Sequence, residues 1–178
     1  MSEIHADELR TRLNRDLPGA VVPPSAPGQP DQPDQPDTGD PKKKPSMLET
    51  NTDVVVEASR LKEVALYIRD KLSYTYLSDI GVVDYLDDGL LELVYRFYRI
   101  EGGGSLVVKV RVPRNDAKVP SLTPVWPGAN FHEREGYDLF GVWFTGHPDL
   151  RRLYMWDKFV GHPMRKDFPK QGDKYLAE

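Results

Sequence analysis

The chain has 178 residues, a formal net charge of −4, 16 prolines and no cysteine. Without cysteine it carries no disulfide, thiolate nucleophile, iron–sulfur ligand or cysteine-bound zinc, so metal ligands could come only from four histidines and the carboxylates. The acidic balance argues against general nucleic-acid binding, and no run approaches the roughly 18 apolar residues of a transmembrane helix, which together predict a soluble, cytosolic chain.

The composition divides sharply. Residues 1–53 hold 10 acidic and 6 basic side chains and no aromatic residue, while 54–178 are charge-balanced and hold all 18 aromatics. In chain order, Leu9, Leu13 and Leu17 recur every fourth residue and predict a short amphipathic helix within 1–17, ended by Pro18-Gly19. Residues 18–45 contain 9 of the 16 prolines and read as a disordered or polyproline-type linker, closed by the solvated flank Lys42-Lys43-Lys44.

A folded α+β domain is predicted over 46–144. Val54-Val55-Val56 reads as a strand. Ser59 is positioned to cap a helix through Lys71 that sets Leu61, Val64, Ala65, Ile68 and Leu72 on one face. Tyr74 to Ile80 alternates like a strand, and Asp87-Asp88-Gly89 makes a turn. Leu90 to Ile100 places Leu91, Leu93, Tyr95 and Phe97 on one face. After Gly102-Gly103-Gly104, Leu106, Val108, Val110 and Val112 answer them from a second strand, so the pair forms an antiparallel hairpin. The 59–71 helix would cover its apolar face, giving a small mixed or antiparallel sheet under helices. A helical turn after 121 and a helix from Gly128 to Gly141 follow.

Residues 145–178 show no sustained period, and 12 of these 34 residues are charged among many aromatics. The mixture predicts an extended tail that packs along another surface, in particular another chain's.

The densest polar cluster is His132-Glu133-Arg134-Glu135-Gly136-Tyr137-Asp138. It lacks the second histidine of a zincin helix, because Gly136 stands at that position. Arg134 and Asp138 are one helical turn apart and can pair, while Glu133 shares a face with Tyr137. Paired carboxylates could serve acid–base chemistry, but no nucleophile or electrophile accompanies them, so the cluster reads as ion pairing. Phe144-Thr145-Gly146-His147-Pro148 recurs fifteen residues later as Phe159-Val160-Gly161-His162-Pro163, each copy followed by cations, Arg151-Arg152 and Arg165-Lys166. Each copy is a rigid bend presenting an imidazole and then a guanidinium, suited to anchoring. His132, His147 and His162 form an even series, which keeps a three-histidine metal hydrolase as an alternative.

The ordered blocks Val119-Pro120-Ser121-Leu122-Thr123, Trp126-Pro127-Gly128-Ala129-Asn130, Glu133 to Gly141, Gly146 to Leu153 and Gly161 to Pro169 closely resemble one family. It is the thirty-kilodalton-type C subunit of the proton-pumping NADH–quinone oxidoreductases of respiratory complex I. With the hairpin ending at Val110-Arg111-Val112-Pro113, the resemblance spans about 54–169. It implies an α/β fold with an extended tail, in a structural subunit of the peripheral arm on the cytoplasmic side of the cell membrane. It implies no catalytic residue and no cofactor on this chain, with FMN, iron–sulfur clusters and quinone held by other subunits. The implied partners are chiefly the large D subunit, and also subunits B and I. An equivalent subunit of a hydrogenase or ferredoxin-dependent complex is the alternative. Under this reading Glu133, Arg134, Glu135 and Asp138 fix the helix against the tail or a partner. His147, Arg151, Arg152, His162, Arg165, Lys166 and Asp167 dock the tail, and Phe140, Phe144, Trp156, Phe159 and Phe168 supply apolar anchors. Gly136 departs from the larger residue usual in the family.

Overall fold

The computed structural model describes residues 4–23 and 53–169. The proposed linker from residue 24, its lysine flank and the tail beyond 169 lie outside the described residues.

Helix α1 (Ala6–Asp16) buries Leu9 and Leu13 completely, as the four-residue leucine spacing predicts. The chain after it does not enter the linker at residue 18. Ala20 and Val21 are buried, Val21 pairs antiparallel with Val56, and the Val22 N–H donates to Val55 O at 2.9 Å. The two ends of the intervening segment therefore meet at the sheet's edge.

Strand β1 (Val54–Val55) is followed by a 3₁₀ turn (Ala58–Arg60) and α2 (Leu61–Asp70). Ser59 lies inside that turn and makes no capping bond, contrary to its expected role. The apolar stripe follows its spacing: Leu61, Val64, Ala65 and Ile68 are buried. Tyr67 donates its hydroxyl hydrogen to Asp16, and Arg60 donates to Pro18 O, which ties α1 to α2.

Strands β2 (Tyr76–Tyr85), β3 (Leu90–Tyr98) and β4 (Ser105–Pro113) complete a mixed four-stranded sheet in the order β1-β4-β3-β2. Only the β1–β4 pairing is parallel. Strand β2 begins two residues later than expected and runs five past Ile80, through Gly81, with a bulge between Leu77 and Asp79. The hairpin matches its pattern: Leu91, Leu93, Tyr95, Phe97, Leu106, Val108, Val110 and Val112 all enter the core. On the opposite face Glu92, although buried, is neutralised by Lys109 and Arg111 at 3.3 and 2.9 Å.

Two three-residue strands, β5 (Lys118–Pro120) and β6 (Trp143–Thr145), pair in parallel around α3 (Ala129–Phe140). The α3 helix ends at Gly141, whose φ of 75° suits glycine, and its N–H bonds back into the last turn. No helix among the described residues is long and apolar enough to cross a membrane.

Candidate functional site

Helix α3 is a beam with two working sides. One side faces the sheet. Ala129 and Gly136 are buried there, and a Cβ on Gly136 would meet Phe144 and Val82 atoms at 3.3 Å. The small residue lets α3 lie close to β2 and β6. Phe144, expected as an anchor for a partner, belongs to this core and is 1% exposed.

Glu133 also faces inward, and its side chain is wholly buried. It accepts bonds from Ser121 Oγ (2.6 Å), Leu122 N–H (2.6 Å) and Thr123 Oγ1 (3.0 Å). Burial pushes its carboxyl above the ordinary range, and the three donors offset this only in part. The expected ion pair or partner contact at Glu133 is thus replaced by a closed internal network. The buried His147 ring adjoins it. Its Nδ1 accepts the Asp149 N–H at 3.0 Å, which places the ring hydrogen on Nε2, 3.9 Å from Glu133 Oε2 and without a hydrogen-bond partner.

The other side of α3 holds the tail. Arg134 and Asp138 do not pair with each other as their spacing suggests. Arg134 donates to the carbonyls of Arg151 and Arg152, both at 3.2 Å. Asp138 Oδ2 accepts three successive backbone N–H groups, from Leu153, Tyr154 and Met155, at 2.7–2.9 Å. Three N–H groups converging on one oxygen form an anion-binding nest. Its Oδ1 accepts Arg152 Nη1 at 2.6 Å. Burial works against the Asp138 charge, but the Met155 N–H, the Arg152 guanidinium and the other two N–H groups outweigh it. Its pKa lies below the usual carboxylate range.

Arg152 fastens the second loop of the tail as well, donating to Phe159 O and Gly161 O at 3.0 and 3.1 Å while lying over the Phe159 ring. The second Gly-His-Pro bend closes against the end of α3. His162 Nδ1 bonds the Asp138 carbonyl at 3.1 Å, and the face of its ring rests against Gly141. Arg165 Nε donates to Phe140 O at 2.6 Å while the Phe140 ring packs on the core. Phe159 is flanked edge-on by Trp156 and stacked by Phe168. Finally, the buried Asp84 accepts the Lys166 N–H at 2.8 Å and Arg114, which also pairs with Asp167.

The irregular tail from Gly146 to Pro169 is therefore a strap seated on its own domain. This corrects the expectation that it lies on another chain's surface. The seat is built from backbone groups, whose partners side-chain patterns do not reveal. Glu135 is half-buried on α3 and joins none of these bonds. Arg151 is exposed and pairs with Asp149 at 2.8 Å, and Lys166 contributes its backbone rather than its ammonium. His132, His147 and His162 meet Asp79, Glu133 and Asp138 respectively, so the three-histidine site is not assembled. No group of three potential metal ligands converges among the described residues.

Asp84 and Arg114 were missed by sequence reasoning, although Asp84 carried a signal. It follows Ile80 and Val82 on the core-facing parity of β2, where a carboxylate requires a cation. Of what the strap turns outward, only Trp156 was among the expected anchors, and Tyr154, Val160 and Met164 were missed. Because it is held through its backbone and cations, Tyr154, Trp156, Val160 and Met164 point away, at 58, 65, 88 and 57% exposure.

Comparison with known proteins gives this geometry a context. A family model described as respiratory-chain NADH dehydrogenase, 30 Kd subunit, matches residues 54–174. The NADH-quinone oxidoreductase C subunit of Moorella thermoacetica is 45% identical over 118 residues, covering 66% of this chain and 80% of that protein. The protein of the same name from Roseiflexus sp. is 43% identical over 119 residues, covering 65% and 68%. Among solved structures, the trypsin-resistant fragment of Nqo5 aligns with TM-score 0.50 and 37% identity, over 55% of this chain and 80% of that one. A chain of the membrane-bound sulfane sulfur reductase, an archaeal respiratory membrane complex, aligns with TM-score 0.62 and 29% identity, over 69% and 74%. Every element of the α3–strap assembly lies within the matched span, and the chain belongs to the 30 kDa subunit family of respiratory-chain NADH dehydrogenases.

Proposed function

We propose that this chain is a non-catalytic structural subunit in the peripheral arm of a proton-pumping NADH–quinone oxidoreductase, at the cytoplasmic side of the cell membrane. It binds no FMN, iron–sulfur cluster or quinone itself and scaffolds the module whose other subunits pass electrons from NADH to quinone. Its main partner is the large D subunit, with subunits B and I adjoining. One observation carries the reading: the strap satisfies its polar groups on α3 and leaves Tyr154, Trp156, Val160 and Met164 outward. Aromatic and apolar side chains held on a rigid support are what a protein interface uses as anchors. Of the expected apolar anchors, Trp156 is the one that faces out, while Arg152, His162, Arg165 and Asp167 act one step back by shaping the strap.

A second reading, an equivalent scaffold in a related hydrogenase or ferredoxin-dependent membrane complex, is favoured by the likeness to the sulfane sulfur reductase chain. Affinity purification of the tagged chain from its native membranes decides between them. Co-purifying flavin- and NADH-binding subunits support the first reading. A nickel–iron large subunit, or no NADH-binding subunit, supports the second. A chain that purifies alone from gently solubilised membranes contradicts both.

A further inference from the structure

We propose that His147, Glu133 and Tyr95 together bind one internal water molecule, which pins the root of the strap to α3 and to strand β3.

The His147 imidazole has one settled end. Its Nδ1 accepts the Asp149 N–H at 3.0 Å, so the ring hydrogen sits on Nε2. The side chain is wholly enclosed, and Nε2 has no hydrogen-bond partner. An acceptor faces it, Glu133 Oε2, but at 3.9 Å the two are too far apart for a direct bond. Neither side is free to close the gap. Glu133 is held by Ser121 Oγ, the Leu122 N–H and Thr123 Oγ1. His147 is held through Nδ1, its own N–H donates to Phe144 O at 3.2 Å, and Pro148 restricts its backbone.

Tyr95 supplies the third atom. It is fully buried in the core, and its Oη has no partner. The packing of α3 on β2 brings it to the same place. Gly136 lies over Val82, and His132 comes within 3.9 Å of Asp79, so following α3 back from 136 to 132 moves along β2 from 82 to 79. Glu133, on the inward side of the helix, is thereby set beside Ile80. Ile80 is the cross-strand neighbour of Tyr95, and both point into the core. The Glu133 charge acts on the tyrosine accordingly, adding to burial in pushing the phenol well above its ordinary value.

Two buried donors without acceptors thus converge on one carboxylate oxygen. Buried polar groups are nearly always paired, and a water molecule fits these three atom for atom. Its two lone pairs take the Nε2 and Oη hydrogens, and one of its own hydrogens goes to Glu133 Oε2. Three bonds is the usual number for a buried water. Standing about 2.8 Å from each end, it spans the gap between imidazole and carboxylate. A metal cation does not fit, because Nε2 bears a hydrogen and the Nδ1 lone pair is taken by the Asp149 N–H. The three holders come from β3, from α3 and from the turn after β6 where the strap begins. The water therefore fastens the first Gly-His-Pro bend, as the Asp138 carbonyl and Arg152 fasten the second. The site is a property of the chain alone and does not rest on the docking reading.

The test is a crystal structure of the full chain at a resolution that shows ordered water, together with a double-mutant cycle of Tyr95→Phe and His147→Phe read by urea unfolding. The expected density is a single water within hydrogen-bond distance of Nε2, Oε2 and Oη. In the cycle, the shared water makes the second loss smaller than the first. The unfolding constant of the double variant should fall short of the product of the two single changes by about threefold or more. The proposal is overturned by a direct bond between Nε2 and Oε2, by a gap without water, or by a water that leaves Nε2 or Oη unpaired. It is equally overturned if the two substitutions multiply independently. Should either variant fail to fold, the wild-type density decides alone. Neither result bears on whether the outer row of the strap docks, and failure to assemble with partners leaves the water site untouched.

Discussion

A single carboxylate organises the strap. Asp138 gathers three backbone N–H groups on one oxygen and a guanidinium on the other. An amide in its place keeps the shape but turns an NH₂ toward donors or toward Arg152, so Asp138→Asn should loosen the strap while sparing α3. Leaving one member of a buried charged pair without its partner costs about 3–5 kcal/mol. Arg152→Ala should act in the same direction, because it removes donors to four acceptors on Asp138, Phe159 and Gly161. The two should be strongly non-additive in a double-mutant cycle, since they share one contact. Rates of tryptic cleavage at Arg165 measure the effect for both. A second expectation concerns acid. Asp84 and Asp138 have lowered pKa values in the fold, so they contribute stability that is full above the ordinary carboxylate range, near 4. That stability drains away as the pH falls through their folded values. Denaturant midpoints measured from pH 5 to 2 should therefore fall more steeply than in Asp84→Asn. At this scale the sequence showed which residues were charged and clustered, from Glu133 to Asp138. It did not show their partners, because most of those are backbone groups: the carbonyls of 151 and 152, and the N–H groups of 122 and 153–155.

Among the elements, long periodic runs were legible and short ones were not. The hairpin of β3 and β4, the α2 stripe, and α3 with its Gly141 end follow from alternation, helical spacing and glycine placement. Three-residue strands such as β5 and β6 carry too little pattern to register, and their pairing depends on α3 returning the chain beside itself. The pattern of β2 fades at Gly81, where strand propensity drops although the ladder to β3 continues. Two substitutions probe this level. Gly136→Ala offers about 1 kcal/mol of helix propensity. The new methyl would press on Phe144 and Val82 at 3.3 Å, so the gain should be cancelled and the urea midpoint should not rise. Gly141→Ala adds strain at a φ of 75° and drives a methyl into His162, so it should free the distal strap. The segment between Val22 and Asp53 offers a third probe. Its ends are joined by the Val21–Val56 bridge, so replacing 24–52 with a four-residue turn shortens a closed loop without stretching it. Loop-closure entropy predicts a gain of about 2 kcal/mol, read from denaturant unfolding.

At the scale of the molecule, family membership and fold class were readable from ordered motif blocks and from the division of aromatics between the two halves. The placement of the tail was not. Its lack of period suggests another chain as its support, whereas Asp138, Arg134 and Asp84 supply the missing partners at home. Residues 146–169 should accordingly resist proteolysis in the isolated chain, while still gaining protection at Trp156 and Val160 on assembly. The central claim is that the outward row of the strap docks this protein into a respiratory complex. The most direct measurement is the yield and quinone reductase activity of complex purified from cells whose only copy carries Trp156→Glu and Val160→Glu. Val160 is open to solvent and Trp156 gives up only its edge contact with Phe159, so the isolated variant should remain folded with a small loss of stability. The account predicts loss of this chain from the complex and a matching fall in NADH–quinone activity. Intact complex with full occupancy and full activity would contradict it.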